Sequence, residues 1–192
     1  MDDIITKLTI DFQTLYVSII TGVISSAVFL FILSRLKPKV IISNEVAERV
    51  GSGSSTFIFK ILNKSCFFKV YDVSIRVYST KIIPSINGDD IERIEISVRK
   101  DYQRVIDRFN PRHYWQNSIL GKKRLRSHTN YAAQFSTTVN LNDIIAQGRT
   151  VEMEVYAKHS LTGFSKIFSV EYKHANNIVK GSFRSGNSFI IE

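Results

Sequence analysis

"KVYDVSIRVYS", residues 69–79, decides the fold. Tyr71, Val73, Ile75 and Val77 alternate with Val70, Asp72, Ser74 and Arg76. Successive side chains of a strand point to opposite faces, so this period of two predicts a β-strand with one buried face. The same character recurs on either side. "TFIFKIL" (56–62) is aromatic and β-branched, and the turn "GSGSS" (51–55) separates it from "KVIISNEVAERV" (39–50). After the turn "NGDD" comes "RIEISVRK" (93–100). Further on lie "YAAQFSTTVNL" (131–141), "TVEMEVYAKHS" (150–160), "KIFSVEYKH" (166–174) and "KGSFRS" (180–185). Many short strands at close spacing predict an antiparallel sandwich or barrel. Helical signal is scarce in this part. "NDIIAQ" (142–147) reads as one turn capped by Asn142. "RKDYQRVIDRF" (99–109) sets Tyr102, Val105, Ile106 and Phe109 at helical spacing.

Upstream the pattern changes. Residues 12–34 carry no charge, and at ~1.5 Å per residue they make a helix of roughly 35 Å, enough to cross a ~30 Å hydrocarbon core. A cleaved signal peptide has a basic leader and a shorter apolar run. Here the leader "MDDIITKLTIDFQ" is net acidic, and the run ends in bulky residues before "SRLKPKV". The expectation is a retained transmembrane helix over 13–35, after a short N-terminal segment (1–12) and before a β domain (36–192). Arg35, Lys37 and Lys39 flank it on one side, Asp2, Asp3 and Asp11 on the other. The positive-inside rule then places 36–192 in the cytoplasm at the inner membrane and the N-terminus outside. The single cysteine, Cys66, agrees with a reducing compartment and reads as a small apolar core residue. The acceptor sequence "NKS" at 63–65 carries no glycan on that side.

In "SIITGVISSAVFLFIL" (18–33), Ser18, Gly22 and Ser26 fall on one helix face, the small-xxx-small spacing that lets helices approach in lipid. Thr14, Ser18, Thr21 and Ser25 form an adjoining hydroxyl stripe. Ser18, Gly22, Ser25 and Ser26 are therefore candidate self-association residues and imply a homo-oligomer. The plainer reading is that the hydroxyls bond back to their own i−4 carbonyls.

The segment "KPKVIISNEVAER…FIFKILNKSCFFKVYDVSIRVYS" resembles the start of the cytoplasmic domain of inward-rectifier potassium channels: a basic linker leaving the membrane, a strand, a turn, a strand ending in an Asn-containing turn, and a further strand. The C-terminal part is similar to that family in the same order, through Thr162 and Gly163, Tyr172, Ile178 and Val179, Gly181 and Phe183. The ordered series carries the resemblance, over about two-thirds of residues 37–185. It implies an immunoglobulin-like β-sandwich and a tendency to ring-like assembly. The channel function does not follow, because one helix and no filter sequence cannot build a pore whose carbonyls replace potassium's hydration shell.

Net charge is +9 with a pI near 9.7, which points to an anionic partner. The surplus concentrates around 99–126, where the resemblance is weakest and the chain reads as a basic insertion. Arg108, Arg112, Lys122, Lys123, Arg124 and Arg126 are candidate anion-binding residues, interleaved with Phe109, His113, Tyr114 and Trp115. Arginine with aromatics suits a phosphate-bearing ligand or nucleic acid, "GKKRLR" suits anionic lipid equally, and a solvated loop is the bland alternative. His113, His128, His159 and His174 lack metal-ligand spacing and read as surface or edge residues. No nucleophile–base pair, metal set or phosphate loop stands out, so neither catalysis nor a cofactor is expected. Two functions remain. One is a single-pass membrane effector: the β domain senses a signal or regulatory partner, and the helices cluster to perturb the membrane. Small one-helix proteins of bacterial anti-phage systems are similar in design. The other is a non-toxic tethered module that recruits a partner, an anionic ligand or a nucleic-acid-containing complex.

Overall fold

The structure, a computed structural model, describes residues 2–51, 53–86, 88–109, 132–186 and 188–192, with side chains from residue 14 onward. The chain divides into two units, Met1–Leu36 and Lys37–Glu192.

The first unit is one helix, α1 (Asp2–Arg35), which begins inside the acidic leader. Its segment Thr14–Arg35 is long and apolar enough to span a bilayer. Apolar side chains are exposed all round it, among them Leu15, Ile19, Val23, Phe29, Leu30 and Ile32. A helix apolar on every side needs an apolar surrounding, which a bilayer supplies.

The second unit is mainly β, in two sheets. The first holds β1 (Val40–Ile42), β2 (Val46–Val50), β3 (Ser55–Asn63), β7 (Ala132–Thr137) and β10 (Ile178–Lys180). β1 and β2 pair antiparallel with successive halves of β3, β7 pairs along its residues 57–62, and β10 lies parallel to β2. The second sheet runs β5 (Gly88–Ile96), β4 (Val70–Ser85), β8 (Thr150–His159), β9 (Ser165–Tyr172), and β6 (Tyr102–Ile106) pairs with the start of β4. A short helix, α2 (Leu141–Ala146), joins β7 to β8. One core draws on both sheets: Phe57, Phe59 and Ile61 of β3 and Phe135 of β7 with Val73, Ile75 and Val77 of β4 and Val151, Met153 and Val155 of β8. The Tyr172 hydroxyl ties β9 to the first sheet by donating to Ser43 O (2.8 Å). Burial pushes that phenol above its ordinary pKa, so it stays a donor.

Several expectations change. Burial in β4 is not a single alternation from residue 70: Val70 is buried and Tyr71 exposed, while Val73, Ile75 and Val77 are buried. The pairing with β8 shifts register between Tyr71 and Ser74, and Asp72 takes φ 49°, so a bulge resets the phase. Residues 102–106 form a strand, not a helix, because β4 offers a free edge there and pairs Ser74 with Tyr102 through Val70 with Ile106. The cap of α2 is Asn140, whose side chain accepts from Asn142 N–H (3.1 Å). Cys66 is exposed rather than in the core.

Candidate functional site

Pairing brings four separate stretches to one end of the β unit. Residues 37–39 lead into β1, and Lys39 O accepts from Lys64 N–H (2.8 Å), so the loop 63–69 lies beside them. β4 begins at Val70, opposite Ile106 of β6 and His159 of β8. Residues 107–109 and the turn 160–164 therefore share this end, the basic pole.

Two small polar side chains shape the loop. Asn63 is buried; its Nδ2 donates to Phe68 O (2.9 Å) and Asp107 O (3.1 Å), and its Oδ1 accepts from Ser65 N–H (2.9 Å). Ser65 Oγ accepts from Phe68 N–H (3.0 Å). These bonds fold the loop onto itself and turn Lys64, Cys66, Phe67 and Lys69 toward solvent. Phe67 is 78% exposed. Phe68 turns inward, with its ring centroid 4.7 Å from that of His159.

His159 is buried, which corrects the expectation of a surface or edge residue. Thr162 N–H donates to its Nδ1 (3.3 Å) and the Thr162 hydroxyl lies 3.2 Å away. Burial lowers its pKa, so the ring is neutral at neutral pH and holds the 160–164 turn as an acceptor. That turn exposes Leu161 and Phe164. His174 is exposed at the start of a short 3-10 turn (Ala175–Asn177).

The cations at this end are Lys37, Lys39, Lys64, Lys69 and Arg108, all exposed. Lys69 pairs with Asp107 (2.9 Å), whose hydrogen bond and charge raise the ammonium's pKa. The pole thus combines like charge with three exposed apolar tips, Phe67, Leu161 and Phe164. That composition suits the headgroup region of an anionic bilayer, where each Lys or Arg contributes about 1 kcal/mol and apolar tips sink into the acyl boundary.

The other expected residues fall as follows. Arg35 ends α1 with its guanidinium 5.0 Å from the Phe31 ring centroid. Arg112, Lys122, Lys123, Arg124 and Arg126, with His113, Tyr114, Trp115 and His128, lie outside the described residues. The described flanks of that segment reach the pole: Phe109 N–H donates to Ser65 O (2.9 Å), and Ala132 pairs with Leu62. On α1, Ser18 donates to Thr14 O (2.7 Å) and Thr21 to Val17 O (2.8 Å), so these two hydroxyls are satisfied within the helix. Gly22, Ser25 and Ser26 are exposed, and a Cβ on Gly22 would meet nothing within 4 Å. Among the described residues, no cluster of three His, Cys, Asp or Glu is placed to hold a metal.

The turn at Asn-Lys-Ser is legible in the sequence, but not that the Asn63 amide closes the loop. Sequence reasoning missed the roles of Phe67, His159, Leu161 and Phe164. No protein-family model and no curated protein matches the chain.

Proposed function

We propose that the protein is a single-pass membrane protein of the inner membrane, N-terminus outside, whose β unit is a tethered binding module held with its basic pole on the anionic cytoplasmic leaflet. One observation carries this: an apolar helix of bilayer length is joined, within a few residues, to the end of the β unit that gathers Lys37, Lys39, Lys64, Lys69 and Arg108. Five residue steps separate Arg35 from Val40, so the chain spans at most ~18 Å between them. The function is recruitment rather than catalysis. The β unit is read as an immunoglobulin-like sandwich of the inward-rectifier cytoplasmic type. What supports that is the placing of the residues behind the resemblance. Thr162 and Gly163 make the β8–β9 turn, Tyr172 closes β9 in the core, and Gly181 takes φ +138° where a Cβ would sit 2.5 Å from Glu192 O.

Protease protection tests the reading. In spheroplasts an external protease should leave residues 36–192 intact until the membrane is opened; cleavage in intact spheroplasts contradicts it.

A second reading is a defence-type effector whose helices cluster and perturb the membrane under control of a regulatory partner. The spacing of Ser18, Gly22 and Ser26, which lets helices approach closely in lipid, supports it. Replacing α1 by an unrelated transmembrane helix separates the two. The tethered module keeps its function, whereas the effector loses toxicity on induction.

A further inference from the structure

The face of the first sheet turned away from the core carries a groove distinct from the basic pole. On β3, Phe57, Phe59 and Ile61 face the core, so Thr56, Ile58 and Lys60 face the other way. Pairing sets Arg49 opposite Thr56, Ser136 opposite Ile58 and Gln134 opposite Lys60. Lys60 is covered by the C-terminal segment; beside it the face opens into a groove of about 560 Å³ lined by Arg49, Ser54, Thr56, Arg99, Gln134 and Ser136. Arg99 reaches it from the β5–β6 connection, fixed by its N–H to Ser136 O (2.8 Å).

The charge pattern is one-sided. On the second sheet several basic side chains are matched by carboxylates: Arg93 by Glu152 (2.6 Å), Arg149 by Glu92 (2.7 Å) and Lys158 by Asp72 (3.8 Å). No carboxylate lines this groove, and among the described residues neither Arg49 nor Arg99 enters an ion pair. Two guanidiniums with three hydroxyls and an amide form a set of donors matched to a ligand rich in acceptors and negative charge. The volume falls within the range of about 300–1,000 Å³ usual for small-molecule sites. Seven residue steps along β3 lead from Thr56 to Asn63 at the pole, about 23 Å at ~3.3 Å per residue. A headgroup met by the pole therefore does not extend to the groove.

We infer that this groove binds the phosphate group of a soluble small molecule, held by Arg49 and Arg99 with Ser54, Thr56 and Ser136 donating to its remaining oxygens. Titration calorimetry on the full chain in zwitterionic nanodiscs, at about 0.15 M salt to screen exposed charge, tests it with inorganic pyrophosphate and ADP as probes. At least one probe should bind. Arg49→Gln and Arg99→Gln should each weaken it roughly tenfold, the loss of one charge-assisted hydrogen-bonding group, and the double variant should abolish it. Lys64→Gln with Lys69→Gln, at the pole, should leave affinity unchanged. Both arginines are exposed, so the variants retain the fold. The inference is overturned if neither probe binds up to millimolar concentration, or if the double arginine variant binds as the parent does. It is also overturned if anionic lipid in the disc displaces the probe from the parent chain, since the groove would then take headgroups.

Discussion

Asp72 shows how one residue sets what an entire strand presents. At φ 49° it occupies left-handed backbone, which Asp tolerates and β-branched residues do not. Its carboxylate accepts from the Tyr102 hydroxyl (2.9 Å), tying β6 to the bulge. Asp72→Val should destabilise the β unit by about 1–3 kcal/mol through backbone strain, and Asp72→Gly by less, because Gly meets no strain there; equal losses in urea melts would contradict the bulge. This phase change is also why a strict period of two wrongly groups Tyr71 with Val73: alternation shows a strand, but an inserted residue leaves no mark on composition. His159 acts at the same scale. Its pKa is lowered by burial, so in the window between that value and the unfolded 6.5 the unfolded chain binds more protons, and stability falls as pH falls through it. The melting temperature should drop between about pH 7.5 and pH 5.5, and the drop should shrink in His159→Gln. An unchanged drop would place the dependence on other groups.

At the scale of elements, the strands were legible and their ends were not. β3, β4 and β8 declare themselves by β-branched and aromatic alternation, which burial in β8 follows residue by residue. β6 was obscured because its apolar residues fit both periods and pairing with β4 decides between them. The hairpin of β4 and β5 exposes Ile82, Ile83, Ile86, Ile91 and Ile94; Asp89, Asp90, Glu92 and Glu95 on β5 guard that edge against pairing with other chains. The C-terminal segment shows least in sequence. Phe183 bridges to Ile191, and Lys60, buried on β3, donates to Arg184 O (2.6 Å) and Ser188 O (2.7 Å). Burial lowers that ammonium's pKa, and the two carbonyls stand in for a counter-ion. Lys60→Met should cost about 2–4 kcal/mol, the loss of two hydrogen bonds to a charged group. It should also open the segment to trypsin at Arg184; resistance equal to the parent's would show that Lys60 does not hold it. Gly181→Ala should release the same segment, since its Cβ meets Glu192 O.

For the whole molecule, the apolar helix of bilayer length and the basic character are readable from charge and length, whereas the site is not. Lys37 and Lys39 announce themselves beside the helix, but Lys64 and Lys69 join them only because β1 and β3 pair antiparallel. Phe67, Leu161 and Phe164 are ordinary apolar residues in sequence, and only loop geometry leaves them exposed at the same end. Arg49 and Arg99 lie fifty residues apart in sequence, and the pairing of β2, β3 and β7 brings them to the rim of one groove. The central claim is that the basic pole rests on an anionic leaflet. Cys66, the single cysteine, sits exposed in the loop between Lys64 and Phe67, so it takes a fluorophore at one defined place. With the labelled full chain in nanodiscs, nitroxide on the lipid headgroups should quench the label when the lipid is anionic, and quenching should fall in a Lys64→Glu, Lys69→Glu variant whose helix remains inserted. Absence of quenching in anionic discs, with the helix inserted, would contradict the account.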